Sequence, residues 1–238
     1  MKSLVIVPTY NEAENVCAIS NKILSLDEKI HMLIIDDNSP DKTADLVKSH
    51  KMFQTRIHLI ERSGKLGLGT AYVEGFRWAL KKNYDIVVTM DCDFSHAPKD
   101  ILLLMESLTD ENACSIGSRY INGIRIINWP FKRLILSYLA SIYVRFILQM
   151  PIHDPTGGFN CYTKNALRQI NLNQVFSNGY CFQVEMKYRL FCSGTVMKEA
   201  PIVFNERQKG ASKMGKSIVF EAIFNVLKLR LLSLFKML

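Results

Sequence analysis

Five short apolar runs, Ser3 to Val7, His31 to Ile35, Ile57 to Ile60, Asp85 to Met90 and Ala113 to Ile116, alternate with four helical patterns near residues 13–24, 41–50, 69–82 and 98–108. The runs are apolar almost throughout rather than at every second residue, which predicts strands covered on both faces. A helix between each strand and the next makes those strands parallel. The expected fold is therefore α/β, a mostly parallel sheet with helices on both faces, and such sheets take ligands at the carboxyl ends of their strands.

The polar clusters fall where that rule puts them. Pro8-Thr9-Tyr10-Asn11-Glu12 follows the first run, Asp36-Asp37-Asn38-Ser39 the second, Arg62 to Gly69 the third, Asp91-Cys92-Asp93 the fourth and Ser118-Arg119 the fifth. Taken singly these are ordinary turns: Ser39-Pro40 has the form of an N-cap with Pro at N1. Together they predict one functional rim.

The second half reads differently. A helix is predicted from Trp129-Pro130 to Gln149, then the turn Asp154-Pro155-Thr156-Gly157-Gly158 before Phe159 to Tyr162, a helix near 182–192, a strand near 196–204 and a terminal helix from about Lys216. Charge gathers here. The chain is +8 overall, yet 119–151 holds five basic residues and no acid, and 205–238 holds seven basic residues against Glu206 and Glu221. Both stretches are rich in Leu, Ile and Phe, a pairing suited to a membrane surface or a lipid phosphate rather than nucleic acid. From 216 on, Ser217, Glu221, Asn225 and Lys228 form a polar stripe, predicting an amphipathic helix that lies on a membrane. No run reaches the roughly 20 apolar residues of a spanning helix. No targeting segment is visible, so a cytoplasmic protein is expected, and the six cysteines show no metal or disulfide spacing.

Asp91 and Asp93 are the sharpest local signal. In an extended segment residues two apart project to one side, and two adjacent carboxylates repel unless a cation lies between them. A hard divalent ion shared with phosphates is the usual arrangement. The glycines at 64, 67 and 69 fit neither a Walker A loop nor a dinucleotide fingerprint, which argues against an ATPase or a dehydrogenase. They mark a flexible, basic helix entrance suited to an anionic group. Arg207 to Lys213 sets three cations around Gly210, Ala211 and Ser212, a pattern able to close over a diphosphate.

Pro8-Thr9-Tyr10-Asn11-Glu12, Asp36 to Asp41, Leu66 to Tyr72, Met90 to His96, Gly117-Ser118-Arg119-Tyr120 and Ser212-Lys213 together resemble the dolichyl-phosphate (polyprenyl-phosphate) mannose synthases. These are inverting GT-A type members of glycosyltransferase family 2. The resemblance implies transfer of mannose from GDP-mannose to a polyprenyl phosphate, with Mg²⁺ or Mn²⁺, at the cytosolic face of a membrane, where a membrane partner subunit is an option. By the same resemblance Pro8, Tyr10, Glu12, Ile35, Asp37, Asp91, Cys92, Arg119, Arg207 and Lys213 hold the nucleotide sugar, and Asp93 with Ser95 approaches the metal. Arg119, Arg133 and Ser137 meet the acceptor phosphate, and Asp91, Asp93 and Arg119 are the catalytic set. Cys92 replaces a usual Ala, and Gly157-Gly158 stands where a Ser is usual.

The implied organisation is a single domain with a nucleotide-sugar half (1–119), an acceptor half (120–215) and an interfacial helix (216–238). A phosphomonoester is mostly dianionic at neutral pH, so no strong general base is required, in keeping with the lack of a Ser-His-Asp set. His96 reads equally as a turn residue or a catalytic one, and Asp154 either orients the acceptor or caps the turn, the cap being favoured. Three rivals frame the reading. A UDP-sugar such as UDP-glucose could be the donor, although such relatives commonly carry two spanning helices. A sugar-nucleotide pyrophosphorylase would open on a Gly-rich loop where Pro8-Thr9-Tyr10 stands. A non-enzymatic basic module binding nucleic acid would interleave its cations with stacking aromatics.

Overall fold

The structure is a computed structural model describing residues 1–179, 181–206 and 216–235, with side chains in the last segment from 222. Its centre is a sheet of β1 (Ser3–Thr9), β2 (Ile30–Asp36), β3 (Ile57–Glu61), β4 (Ile86–Thr89), β5 (Ala113–Ser118), β7 (Asn160–Thr163) and β8 (Val196–Pro201), in the order β3-β2-β1-β4-β7-β5-β8. Only β7 runs antiparallel to its neighbours. All five N-terminal strands thus share one direction, and their carboxyl ends form one edge. A short ribbon of β6 (Ile126–Ile127) and β9 (Phe204–Asn205) lies apart from this sheet.

Successive residues of β1 divide between two cores, as the two-residue period of a strand demands. Leu4 and Ile6 enter one apolar cluster with α3 (Leu68–Lys81), α5 (Phe131–Leu148), α6 (Lys164–Arg168), α7 (Cys181–Cys192) and α8 (Lys216–Leu234). Val5 and Val7 enter the other with α1 (Val16–Leu24), α2 (Thr43–Lys48) and α4 (Asp100–Glu106). Both faces of the sheet are covered, as its continuous apolar strands predict.

Several local expectations change. Ser39-Pro40 caps no helix: α2 starts at Thr43, and the Ser39 hydroxyl donates to Asp36 at 2.6 Å while accepting from the Asn11 amide. The short β6, β9 and α6 were not predicted, being too brief for a periodic signal. α8 is also not the two-sided helix that its polar stripe predicts. Val226 and Leu229 are buried against the protein, yet Phe224, Leu227, Leu231 and Leu234 are exposed. The helix is apolar on its inner and outer faces, with Asn225 and Lys228 between them.

Candidate active site

The edge formed by the strand ends is stitched together by its own acids. Asp36 accepts from Thr9 and from the amide and hydroxyl of Ser39, joining the ends of β1 and β2. Asp37 is held by Arg62, whose Nε donates to it at 2.6 Å and whose other nitrogens reach Thr70 and the Gly67 carbonyl. The sequence reading placed Arg62 in a rim cluster but gave it no partner. It also overstated the freedom of the 62–69 segment, because this arginine is buried and its charge is already matched. The start of α3 is pinned from the far side: the Gly69 amide donates to the Asn178 carbonyl, and a Cβ on Gly69 would sit 2.3 Å from the Ser177 carbonyl. Glu185 in α7 accepts from the amides of Phe176 and Ser177 and so fixes that loop.

β4 ends at Thr89, and the chain bends from Cys92 onward, with Phe94 in the left-handed region at φ 60°. Asp91 and Asp93 therefore do not owe their placement to an extended strand, as the sequence argument supposed. Both nonetheless line the same cavity. Asp93 accepts from the amide and hydroxyl of the buried Ser95, which orients its carboxylate. Cys92 is buried in the core behind them. Its thiol is pushed well up by burial and by the carboxylates of Glu12, Asp93 and Asp91, and so stays protonated. His96 is buried against Phe159 and Phe204, and burial pulls its pKa down to about 4. It is a neutral ring at physiological pH.

The cavity encloses about 380 Å³. It is lined by Asp91, Asp93, Arg119 and Arg133 and by apolar side chains of α5 and α8, among them Leu136, Tyr143, Val144 and Val226. Arg119 is clamped by Asp154, with Nε and Nη2 each donating to a carboxylate oxygen at 2.7 Å and the backbone amide adding a third bond. Burial alone would raise the Asp154 pKa, but the Arg119 charge and its hydrogen bonds hold it below the usual carboxylate value. Asp154 is thus the partner of Arg119 rather than only a turn cap. Beneath them Lys187 is buried, donating to the carbonyls of Pro155 at 3.2 Å and Gly157 at 2.5 Å. Desolvation lowers its pKa to about 8.

Arg133 stacks on Trp129 with its guanidinium carbon 4.0 Å from the ring centre. Its Nη1 donates to both carboxylate oxygens of Glu206, at 2.6 and 2.8 Å. Ser137 accepts from the Tyr120 hydroxyl at 2.7 Å. The structure so brings Asp91, Asp93, Ser95, Arg119, Arg133 and Ser137 to one cavity. Pro8, Tyr10, Glu12 and Asp37 lie on the same rim outside it, and Ile35 is wholly buried in β2. Arg207 and Lys213 lie outside the described residues. Asp154, Glu206, Lys187 and Gln183 were absent from the predicted site. Only Asp154 had any signal, its Gly-rich turn.

Among the described residues no cluster of three or more His, Cys, Asp or Glu could hold a metal. Two carboxylates lining an open cavity still fit a hard divalent ion that takes its other ligands from phosphate and water, the habit of Mg²⁺ and its congeners.

A mostly parallel seven-stranded sheet with paired carboxylates after its central strand is the architecture of a GT-A type glycosyltransferase. The sequence matches the family model for glycosyl transferase family 2 over residues 4–171, and the chain belongs to that family. It is 42% identical over 226 residues to the polyprenol monophosphomannose synthase of Mycolicibacterium smegmatis, covering 94% of this chain and 85% of that one. To the undecaprenyl-phosphate mannosyltransferase of Micrococcus luteus it is 39% identical, covering 95% and 93%. Among solved structures, a mannosyltransferase from Pyrobaculum calidifontis in complex with GDP-Man and Mn²⁺ shares the fold with a TM-score of 0.60 at 18% identity, covering 99% of this chain and 74% of that one.

Proposed function

We propose that this enzyme transfers mannose from GDP-mannose to a polyprenyl phosphate at the cytosolic surface of a membrane, with inversion at the anomeric carbon. The observation that carries the reading is the mixed lining of the cavity. Its charged residues suit a phosphate and a sugar diphosphate, and its apolar residues from α5 and α8 suit an isoprenoid tail. Outside it, Phe131, Ile135 and Phe146 of α5 and Phe224, Leu231 and Phe235 of the last described segment expose apolar surface that a bilayer interface would cover. No helix among the described residues is long and apolar enough to cross a membrane. The names of the two curated relatives support both the sugar and the lipid acceptor.

In this reading a phosphate oxygen of the acceptor forms the new bond to the anomeric carbon as the bond to the diphosphate breaks on the opposite face. The acceptor is already a dianion, so no side chain has to remove a proton. Arg119 offers Nη1, the guanidinium nitrogen that has no hydrogen-bond partner among the described residues once Asp154 and Thr156 are satisfied. Asp91 and Asp93 would hold Mg²⁺ or Mn²⁺, which when bound neutralises charge on the departing diphosphate. Pro8, Tyr10, Glu12 and Asp37 would seat the nucleotide, with Arg207 and Lys213 on its diphosphate. Residues 1–119 would carry most of the donor site and 120–215 most of the acceptor site, with Arg119, Arg207 and Lys213 crossing that division. The test is purified protein with Mg²⁺, a polyprenyl phosphate and a panel of GDP- and UDP-sugars. Mannosyl lipid from GDP-mannose alone is the expected result, and glucosyl lipid from UDP-glucose would overturn the donor assignment.

A further inference from the structure

Two arginine–carboxylate pairs border the cavity through Arg119 and Arg133, and they differ in how firmly they are closed. Asp154 is fully buried and takes Nε, Nη2 and the backbone amide of Arg119, with Thr156 as a further partner. Glu206 is a quarter exposed, and among the described residues its carboxylate is hydrogen-bonded by Arg133 alone, through the single nitrogen Nη1. Among the described residues the Nε of that guanidinium is buried with no hydrogen-bond partner. The Glu206 backbone is anchored separately, its amide donating to the Ile127 carbonyl at 3.1 Å. Its side chain can therefore leave Arg133 by rotation, while Trp129 keeps the guanidinium in place.

The charge balance of the protein's own side chains favours that departure. With Arg119 matched by Asp154, Arg133 is the remaining arginine or lysine among the described residues that line the cavity, which also holds the carboxylates of Asp91 and Asp93. While Glu206 holds Arg133, an incoming dianion meets no net positive charge there. A phosphate carries more charge than a carboxylate and can take a planar pair of guanidinium N–H groups.

We propose that Glu206 is the resting occupant of the acceptor-phosphate site, holding Arg133 until the phosphate of the lipid takes its place, so that it sets the enzyme's affinity for the acceptor. This rests on the acceptor reading given above for Arg133. It gives Glu206 a sign opposite to that of a brace: a residue that only positioned Arg133 would aid acceptor binding, whereas a competitor opposes it.

The experiment measures KM for a water-soluble ten-carbon isoprenyl monophosphate at saturating donor, in the unaltered protein and in Glu206→Gln, Glu206→Asp and Arg133→Ala, with the Tm of each. Glu206→Gln should lower KM about fivefold, the factor that a partly exposed ion pair represents. Glu206→Asp, reaching Arg133 less well, should lower it by a smaller factor and decides the sign if the Gln variant does not fold. A raised or unchanged KM in folded Glu206 variants, with KM raised in Arg133→Ala, overturns the exchange and leaves the acceptor reading standing. An unchanged KM in Arg133→Ala overturns both.

Discussion

Replacing Asp154 by Asn isolates the electrostatic contribution of the buried pair, because the side chain keeps its shape and loses its charge. In the folded protein this strands the Arg119 guanidinium with an amide where two N–H groups donate at 2.7 Å to a carboxylate with no solvent exposure. Removing one partner of such a pair costs about 3 to 5 kcal/mol, equivalent to a fall in Tm of roughly 6 to 20 °C for a chain of this length. The pH dependence gives a second handle. The carboxyl is held below its ordinary value by Arg119, so its stabilisation is complete above the unfolded-state pKa of 3.8 and is lost as pH falls through the lower folded value. His96 acts in a different window. Its folded pKa is about 4 against 6.5 unfolded, so the unfolded chain binds the extra proton and stability falls as pH drops from 6.5 towards 4. Urea unfolding of both proteins across pH 3 to 8 is the assay. The variant should keep the His96 slope and lose the steeper decline below about pH 4. A loss of stability under about 1 kcal/mol at pH 7, or an unchanged acid limb, would refute the argument that this pair holds the site together.

Asp93→Asn should abolish most turnover while keeping the fold, and excess EDTA should do the same to the unaltered protein; near-normal rates in either case would remove the metal from the proposal. Gly69→Ala places a methyl carbon 2.3 Å from the Ser177 carbonyl, which is backbone and cannot step aside, so a loss of about 2 kcal/mol or more is expected from chemical denaturation. Phe131→Glu with Phe146→Glu alters two strongly exposed side chains of α5 and should sharply reduce flotation with anionic vesicles while Tm stays within about 2 °C; undiminished flotation would place the membrane contact on α8 alone.

The β1 to β5 framework was legible in the sequence because apolar runs and helical spacing are local signals, and parallel strands separated by helices leave few topologies open. The same logic put Asp91, Asp93 and Arg119 on one rim, since each follows a strand. What the chain did not disclose is pairing across long separations. Asp154 lies 35 residues from Arg119 and Glu206 lies 73 from Arg133, and nothing in the local pattern of either acid marks its partner. Arg62, read as part of a basic helix entrance, turned out to be matched by Asp37 once β2 and β3 lay side by side. The outer face of α5 and α8 was readable as apolar, but the sequence could not tell whether the protein's own core would cover it. That was decided only when the sheet supplied room for Val144, Val226 and Leu229 and left the opposite sides of both helices in the open. Composition and periodicity fix which residues seek burial; packing geometry fixes which of them obtain it, and which charges meet.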